Sequence, residues 1–365
     1  VDEKGGEVAK KDRKQEKEPG KKQSRAKKDG TKKAGTKKAG AKKAGARQDH
    51  SKKAEAKKDA SRTAGSTKSA SKSGAKDGSG QLRAAKRAVL RDLLRVPGGK
   101  PVDLSAYSAS DIPAGPADKA AGIEATALLA PRLAEYQERL YAASTAGDRR
   151  RLLLVLQGMD TSGKGGTVKH VIGHFNPSGC RIRAFKAPTA EERGHPFLWR
   201  IARALPVPGE IGIFDRSHYE DVLIARVRAL VPRRDLGRRY GQINRWEESL
   251  VDDGVTVVKV FLHISYEEQR ARLLERLDNP EKHWKFNRGD IEERALWPAY
   301  QEAYELALER CSTEAAPWYV VPADRKWYRN WAISSLLLEH LEALDPQYPP
   351  GDFDVAESRR LLLAT

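Results

Sequence analysis

Cysteine is nearly absent from this chain, which has only Cys180 and Cys311. They stand far apart and outside any C-x-x-C pattern, which excludes a disulfide framework and a zinc knuckle and fits a reducing cytosol. Long apolar runs are missing as well. No stretch approaches the ~18 apolar residues that mark a membrane-spanning helix, and no signal-peptide pattern is present, so the expectation is a soluble, cytoplasmic protein with no membrane partner. Apolar side chains are scarcest at one end: residues 1–80 contain no Phe, Trp or Tyr, and Val1 and Val8 are their only large aliphatic residues. A segment so poor in apolar surface cannot offset the entropy of ordering it, and its composition predicts disorder.

What that region has instead is charge. Residues 1–80 hold 26 Lys and Arg against 11 Asp and Glu, a net of +15 out of +18 for the whole chain. A Lys-Lys-Ala-Gly unit repeats through residues 31–35, 36–40 and 41–45, and lysine pairs continue at Lys52-Lys53 and Lys57-Lys58. This resembles the lysine-alanine tails of histone H1-like proteins. A flexible polycation of this kind suits a polyanion, polyphosphate or nucleic acid, bound by counterion release. A solubilising tail with no partner is the alternative, and the lack of aromatics gives no basis for base stacking.

The most informative stretch is Gly158-Met159-Asp160-Thr161-Ser162-Gly163-Lys164-Gly165-Gly166-Thr167, which follows the apolar run Leu152–Leu156 and precedes a helical pattern. Strand, glycine-rich turn and helix start together make a phosphate-binding loop, in which backbone N–H groups converge on phosphate oxygens and Lys164 reaches the outer phosphates. Gly158, Gly163, Gly165 and Gly166 are its loop glycines. The loop departs from the common pattern because Gly165 replaces the hydroxyl that would hold a metal, and because a carboxylate, Asp160, lies inside it. A carboxylate beside phosphates is repelled unless a shared metal ion bridges them or Asp160 turns outward to a second phosphate-bearing ligand through its own Mg²⁺, so the pattern implies Mg²⁺, with Mn²⁺ as a substitute. Thr167, one helical turn in, is the weaker hydroxyl candidate. A second carboxylate, Asp215, ends the run Ile211–Phe214 and is expected to face Asp160 and Lys164, with Arg216 beside it to neutralise a transferring phosphoryl group. A helix N-cap is the alternative role for Asp215. His170 and His174 are four apart on the expected helix, but without the glutamate of an H-E-x-x-H motif they are not read as a metal site.

From residue 81 the pattern reads as helices at 82–95 and 117–146, then strand 152–157, helix 164–175, strand 181–185, helix 190–204, strand 210–215 and helix 217–229. A charged helical region at 236–253 leads to strand 255–264, helices 266–277 and 290–309, strand 318–321 and helix 325–343. Strands alternating with helices predict an α/β fold, a parallel sheet with helices on both faces.

Several separated motifs carry a family resemblance: G-M-D-T-S-G-K-G-G-T at 158–167, F-K-A-P-T-A-E-E-R at 185–193, H-P-F-L-W-R at 195–200 and F-D-R-S-H-Y-E-D at 214–221. R-L-D-N-P-E-K-H-W-K-F at 276–286 and A-P-W-Y-V-V-P-A-D-R-K-W-Y-R-N at 316–330 complete the set. Residues 90–347 resemble polyphosphate kinase 2, and the A-P-T-x-E-E and H-x-F-L-W-R forms are most similar to the subgroup accepting both nucleoside mono- and diphosphates. The resemblance implies a P-loop kinase-like three-layer αβα sandwich with a helical lid, inorganic polyphosphate and nucleotides as partners, and a homo-oligomer. It implies Asp160 and Asp215 as Mg²⁺-organising carboxylates, with Lys164 and Arg216 on phosphates. The lid is expected at 228–245, where Arg233, Arg234, Arg238 and Arg239 form a polyanion clamp or, alternatively, a solvated helix face. Arg276, Arg270 and Arg272 are further phosphate candidates, with salt bridges to Glu267, Glu268 or Glu275 as the alternative. Lys186, in the loop after the second expected strand, is a further candidate near the polyphosphate path.

The expected organisation is a basic tail at 1–80, a helical extension at 81–150, the P-loop domain at 151–347 and a C-terminal tail at 348–365. The expected activity is phosphoryl transfer between polyphosphate and AMP or ADP. An ATP-dependent nucleoside monophosphate kinase and a tail-dominated nucleic-acid-associated P-loop protein are the alternatives.

Overall fold

Apolar strands alternate with amphipathic helices through most of the core, and the chain folds accordingly. The computed structural model describes residues 89–365, so the expected tail at 1–80 and the first half of the helix expected at 82–95 lie outside the described residues. The chain runs through α1 (Leu90–Leu94), α2 (Lys119–Thr145), β1 (Arg151–Gln157), α3 (Lys164–His170), β2 (Cys180–Ala184), α4 (Ala190–Arg193), α5 (Trp199–Ala202), β3 (Ile211–Asp215) and α6 (Ile224–Val227). It continues through α7 (Arg233–Asp252), β4 (Val255–His263), α8 (Tyr266–Asp278), α9 (Gly289–Ala295), α10 (Trp297–Cys311), β5 (Trp318–Pro322), α11 (Lys326–Leu344) and α12 (Val355–Leu363). The five strands form one parallel sheet in the order β2-β3-β1-β4-β5.

β1 lies at the centre, and all seven of its residues are buried. Its side chains alternate between two cores. Leu152, Leu154 and Leu156 pack with Leu133 of α2, Val171 and the Tyr328–Leu341 face of α11, whereas Leu153 and Val155 pack with Ile243 of α7, Tyr304 of α10 and Trp318 of β5. Helices thus cover both faces, the arrangement that all-parallel sheets require. Gly122 permits close packing of α2 on α11, since a Cβ there would lie 2.3 Å from the Trp327 ring.

Local chemistry breaks four expected helices. Gly194 and Pro196 divide 190–204 into α4, closed by a Thr189/Glu192 capping box, and α5. The 217–229 stretch begins as a 3-10 turn, His218–Asp221, capped by Ser217, before α6. The 290–309 stretch divides into α9 and α10, with Pro298 in the first turn of α10. The helix expected at 164–175 ends at His170, so His174 falls in a separate 3-10 turn and the two histidines do not share one helix face. The C-terminal stretch, expected as a tail, contains α12, whose Leu361, Leu362 and Leu363 are exposed. Among the described residues no helix is long and apolar enough to cross a membrane.

Candidate active site

The chain leaves β1 into its loop through backbone that ordinary residues resist. Gly158 has φ +151°, and a Cβ there would meet Leu262 O at 2.8 Å. Thr161 follows at φ +65°, and Gly163 at φ +111° starts α3 with no side-chain cap. The first N–H groups of α3 therefore remain free of a capping side chain, as suits bound phosphate. Lys164 folds back over the loop, donating to Gly158 O at 2.8 Å and Met159 O at 3.3 Å. Burial pulls its pKa down, an effect that the nearby Asp160 opposes. Thr167 is fully buried and its hydroxyl donates to Gly163 O at 3.3 Å inside α3.

β3 runs beside β1, with Asp215 opposite Leu156 in register. That pairing brings the second motif to the loop. Arg216 Nη2 donates to Asp160 Oδ1 at 3.0 Å, joining side chains separated by more than fifty residues in sequence. Ser217, not Asp215, caps the following turn, which removes the N-cap alternative and leaves the Asp215 carboxylate with no hydrogen-bond partner among the described residues. Arg216 holds φ +63°, a left-handed conformation that a side chain adopts at a cost, as strained residues at working sites often do.

Asp160, Arg216, Gly158 and Met159 line a cavity of about 120 Å³ together with Glu220, Glu293 and Tyr300. Arg216 and Glu220 also border a larger cavity of about 530 Å³, lined by Phe185, Lys186, Phe197 and Arg239 among others. Glu220 was not singled out from the sequence, although it lies within the F-D-R-S-H-Y-E-D motif. Burial raises its pKa, while Arg216 and Lys164 oppose the rise. The Gln157 amide satisfies both its ends when its nitrogen donates to Glu220 Oε1 at 3.1 Å and its oxygen accepts from Ser217 Oγ.

The segment expected as the lid, 228–245, runs from the end of α6 into α7. From Arg233 on it forms the first turns of α7, whose Leu236, Tyr240 and Ile243 are buried against the sheet. Arg233, Arg234 and Arg238 are exposed there, the last two beside Asp235, whereas Arg239 turns inward to donate to Asp221 O at 2.7 Å. The small cavity is bordered by Ile224 of α6, Tyr300 and Tyr304 of α10 and, from α9, Glu293, which accepts from Arg228 Nη2 at 2.6 Å and Tyr300 OH at 2.5 Å. Arg276 is tied to this region by Asp290 at 3.1 Å and Lys285 O at 3.0 Å, and Arg270 is exposed.

Arg272 is not free to be a phosphate contact. Its guanidinium donates to Thr161 O, Ser162 O, Ala323 O, Asp324 O and Glu268 Oε1 at 2.7–3.1 Å, fastening the loop to the end of β5. Replacing it with Met strands these buried carbonyls, so Arg272→Met is expected to lower stability by about 3 kcal/mol. A urea midpoint equal to that of the parent protein would contradict this assignment. Beside it Arg329, also missed in the sequence although it lies in the last quoted motif, is buried against Gly163 and Gly166. Its only side-chain partner among the described residues is Asn330 Oδ1, and burial with the neighbouring Arg272 brings its pKa down to about 10. Cys180 and Cys311 are both free thiols.

The comparisons with known proteins agree with this geometry. Residues 117–349 match the family model described as Polyphosphate kinase 2 (PPK2). An AMP/ADP-polyphosphate phosphotransferase of Meiothermus ruber is 50% identical over 247 residues, covering 68% of this chain and 91% of that protein. An ADP-polyphosphate phosphotransferase of Rhodopseudomonas palustris is 44% identical over 230 residues, 60% of this chain and 78% of that one. The crystal structure of Polyphosphate Kinase 2 from Arthrobacter aurescens TC1 superimposes with a TM-score of 0.74 at 48% identity, over 76% of this chain and 97% of that chain. A P-loop holding its own carboxylate, an Arg216–Asp160 pair joining two strand ends, and these matches place the chain in the polyphosphate kinase 2 family.

Proposed function

We propose that this protein moves terminal phosphoryl groups between inorganic polyphosphate and AMP or ADP. The observation that carries the reading is the meeting of two cavities at Arg216 and Glu220, one at the P-loop and one of nucleotide size. The larger cavity combines Phe185, Phe197 and Leu230, suited to a nucleoside, with Lys186, Arg193 and Arg200, suited to its phosphates. Polyphosphate then lies along the loop glycines and Lys164, with Arg329 behind Gly163 and Gly166.

The residues fit a divalent cation. Asp160, Asp215 and Glu220 are hard oxygen donors whose charges all act on Lys164, and burial plus the charge of Asp160 raises the pKa of both Glu220 and Asp290, a crowding that a cation relieves. No group of three such residues among those described is close enough to cage a metal alone. That suits Mg²⁺, which keeps waters and phosphate oxygens in its shell. Asp160 and Asp215 would hold it, and when bound it would neutralise charge on the reacting phosphates.

An anionic acceptor phosphate needs little general-base help, so the work is positioning and charge neutralisation. Lys164 swings from its carbonyls onto the donor chain, and Arg216 neutralises the transferring group while its pairing with Asp160 sets its direction. Tyr300, Tyr304 and Ile224 line the small cavity and restrict water, whose attack would waste the donor. The polybasic segment 1–80 captures polyanion, and the protein works as a cytoplasmic homo-oligomer with domain boundaries near residues 80, 150 and 347.

The test is nucleotide chromatography after incubation with Mg²⁺, long-chain polyphosphate and either ADP or AMP. ATP from ADP, and ADP then ATP from AMP, are the expected products. Transfer from ATP alone would instead make it an ordinary nucleotide kinase. Deleting residues 1–80 should leave transfer from short chains intact and weaken use of long ones.

A further inference from the structure

Behind the turn that carries Asp215, Arg216 and Glu220 lies a buried ionic network that the proposed transfer does not use. Lys259 stands in the middle of β4 between Val258 and Val260, and both it and Glu247 of α7 have no exposed surface. Lys259 Nζ donates to Glu247 Oε2 at 2.6 Å, Tyr219 OH at 2.8 Å and Cys311 O at 2.6 Å, using every donor an ammonium has. Glu247 Oε1 accepts from Tyr219 OH at 2.9 Å and lies 3.0 Å from His218 Nε2. Although burial alone would raise it, Lys259 and His218 hold the Glu247 carboxyl below its ordinary pKa. Trp318 and Trp246 pack edge-on against Tyr219 and His218.

Stability is a poor reason for such a pair. Replacing a buried ion pair with apolar side chains of similar volume is often neutral or stabilising. Location supplies a better one. His218 and Tyr219 belong to the same short turn as Arg216 and Glu220, and Arg216 holds a left-handed backbone that persists only where its surroundings over-determine it. On the loop side the turn is held by Arg216 N–H to Leu156 O at 3.1 Å and by Gln157. On the opposite side its end is held by Arg239, which donates to Asp221 O at 2.7 Å, and its middle, at His218 and Tyr219, by the network.

We propose that the Lys259–Glu247 pair, acting through His218 and Tyr219, is a positioning element that locks the Asp215–Glu220 turn in the conformation that aims Arg216 at Asp160 and the phosphates. The inference rests on the phosphotransfer reading and adds to it four residues that do not touch substrate.

The double variant Lys259→Met/Glu247→Leu, in the full chain, tests it. No unpaired charge is left, but Tyr219 OH, His218 Nε2 and the Cys311 carbonyl lose their partners, so its urea midpoint should fall, though by less than that of Lys259→Met alone. Its kcat should fall about a hundred-fold, the scale of a displacement of about 1 Å, while KM for ADP stays within about three-fold. Amide exchange at residues 216–221 should quicken about ten-fold relative to β1, a readout independent of activity. Parent-like kcat together with parent-like exchange at the turn would reduce the pair to packing and overturn the proposal. Should the double variant not fold, Tyr219→Phe decides, since it breaks one link and keeps the ion pair: unchanged kcat and exchange overturn the proposal, and a selective loss supports it. A parent protein without polyphosphate-dependent transfer would remove the phosphotransfer reading, and the exchange measurement would still judge the positioning role.

Discussion

Asp160→Asn and Asp215→Asn are each expected to lower kcat by about a thousand-fold, equivalent to about 4 kcal/mol of barrier, with the fold intact. Both changes preserve shape and remove one negative charge beside the phosphates. Asp160 has two duties, since its Oδ1 also receives Arg216 at 3.0 Å. Its asparagine variant should therefore disturb Arg216 as well as the metal, and raise KM for polyphosphate more than Asp215→Asn does. Steady-state kinetics over a Mg²⁺ series checks this, with circular dichroism to confirm folding. If either variant turns over at the parental rate, that carboxylate has no part in organising the cation.

Gly163→Ala is expected to be the most damaging single-methyl change in the loop. At φ +111° an alanine is strained, and its Cβ would lie 1.8 Å from Arg329 Nη1. Backbone strain and overpacking together should cost about 3 kcal/mol or more. Moving Arg329 aside would relieve the clash but would shift a buried cation packed against the start of α3. Gly165→Ala is the comparison, because its φ is ordinary and nothing lies within 4 Å of the added carbon. Thermal denaturation should separate the two, with a large fall in Tm for Gly163→Ala and little change for Gly165→Ala. Equal midpoints would mean that Arg329 does not pack there in solution.

The features legible in the sequence were those that depend on neighbouring residues. Leu152–Leu156 followed by Gly158 already specified a buried strand entering a tight turn, and Ile211–Asp215 specified a second strand ending in a carboxylate. Both strands formed, side by side. In the 228–245 segment arginines dominate the composition. The spacing of Leu236, Tyr240, Ile243 and Leu250 marked a helix with one buried face, and burial of that face outweighs charge on the other. Arg272 was ambiguous. Periodicity places a side chain on a helix face but says nothing of the carbonyls brought to it from Thr161 and Ala323, far away in the chain.

Lys259 shows the same division within one residue. A lysine flanked by valines in a central strand must find a partner, because an unpaired buried ammonium is too costly. The need could be read from V-T-V-V-K-V-F-L-H; the identity of Glu247, Tyr219 and the Cys311 carbonyl could not. By itself the sequence determined the α/β pattern, the phosphate loop and the chemical types gathered around it, since strand burial, turn glycines and motif spacing are local properties. Only the tertiary structure decided that Arg216 pairs with Asp160, that Glu293 of α9 reaches the small cavity at the loop, and that Arg329 backs its glycines. Those contacts depend on strand order and helix packing, which bring together residues that no local pattern relates.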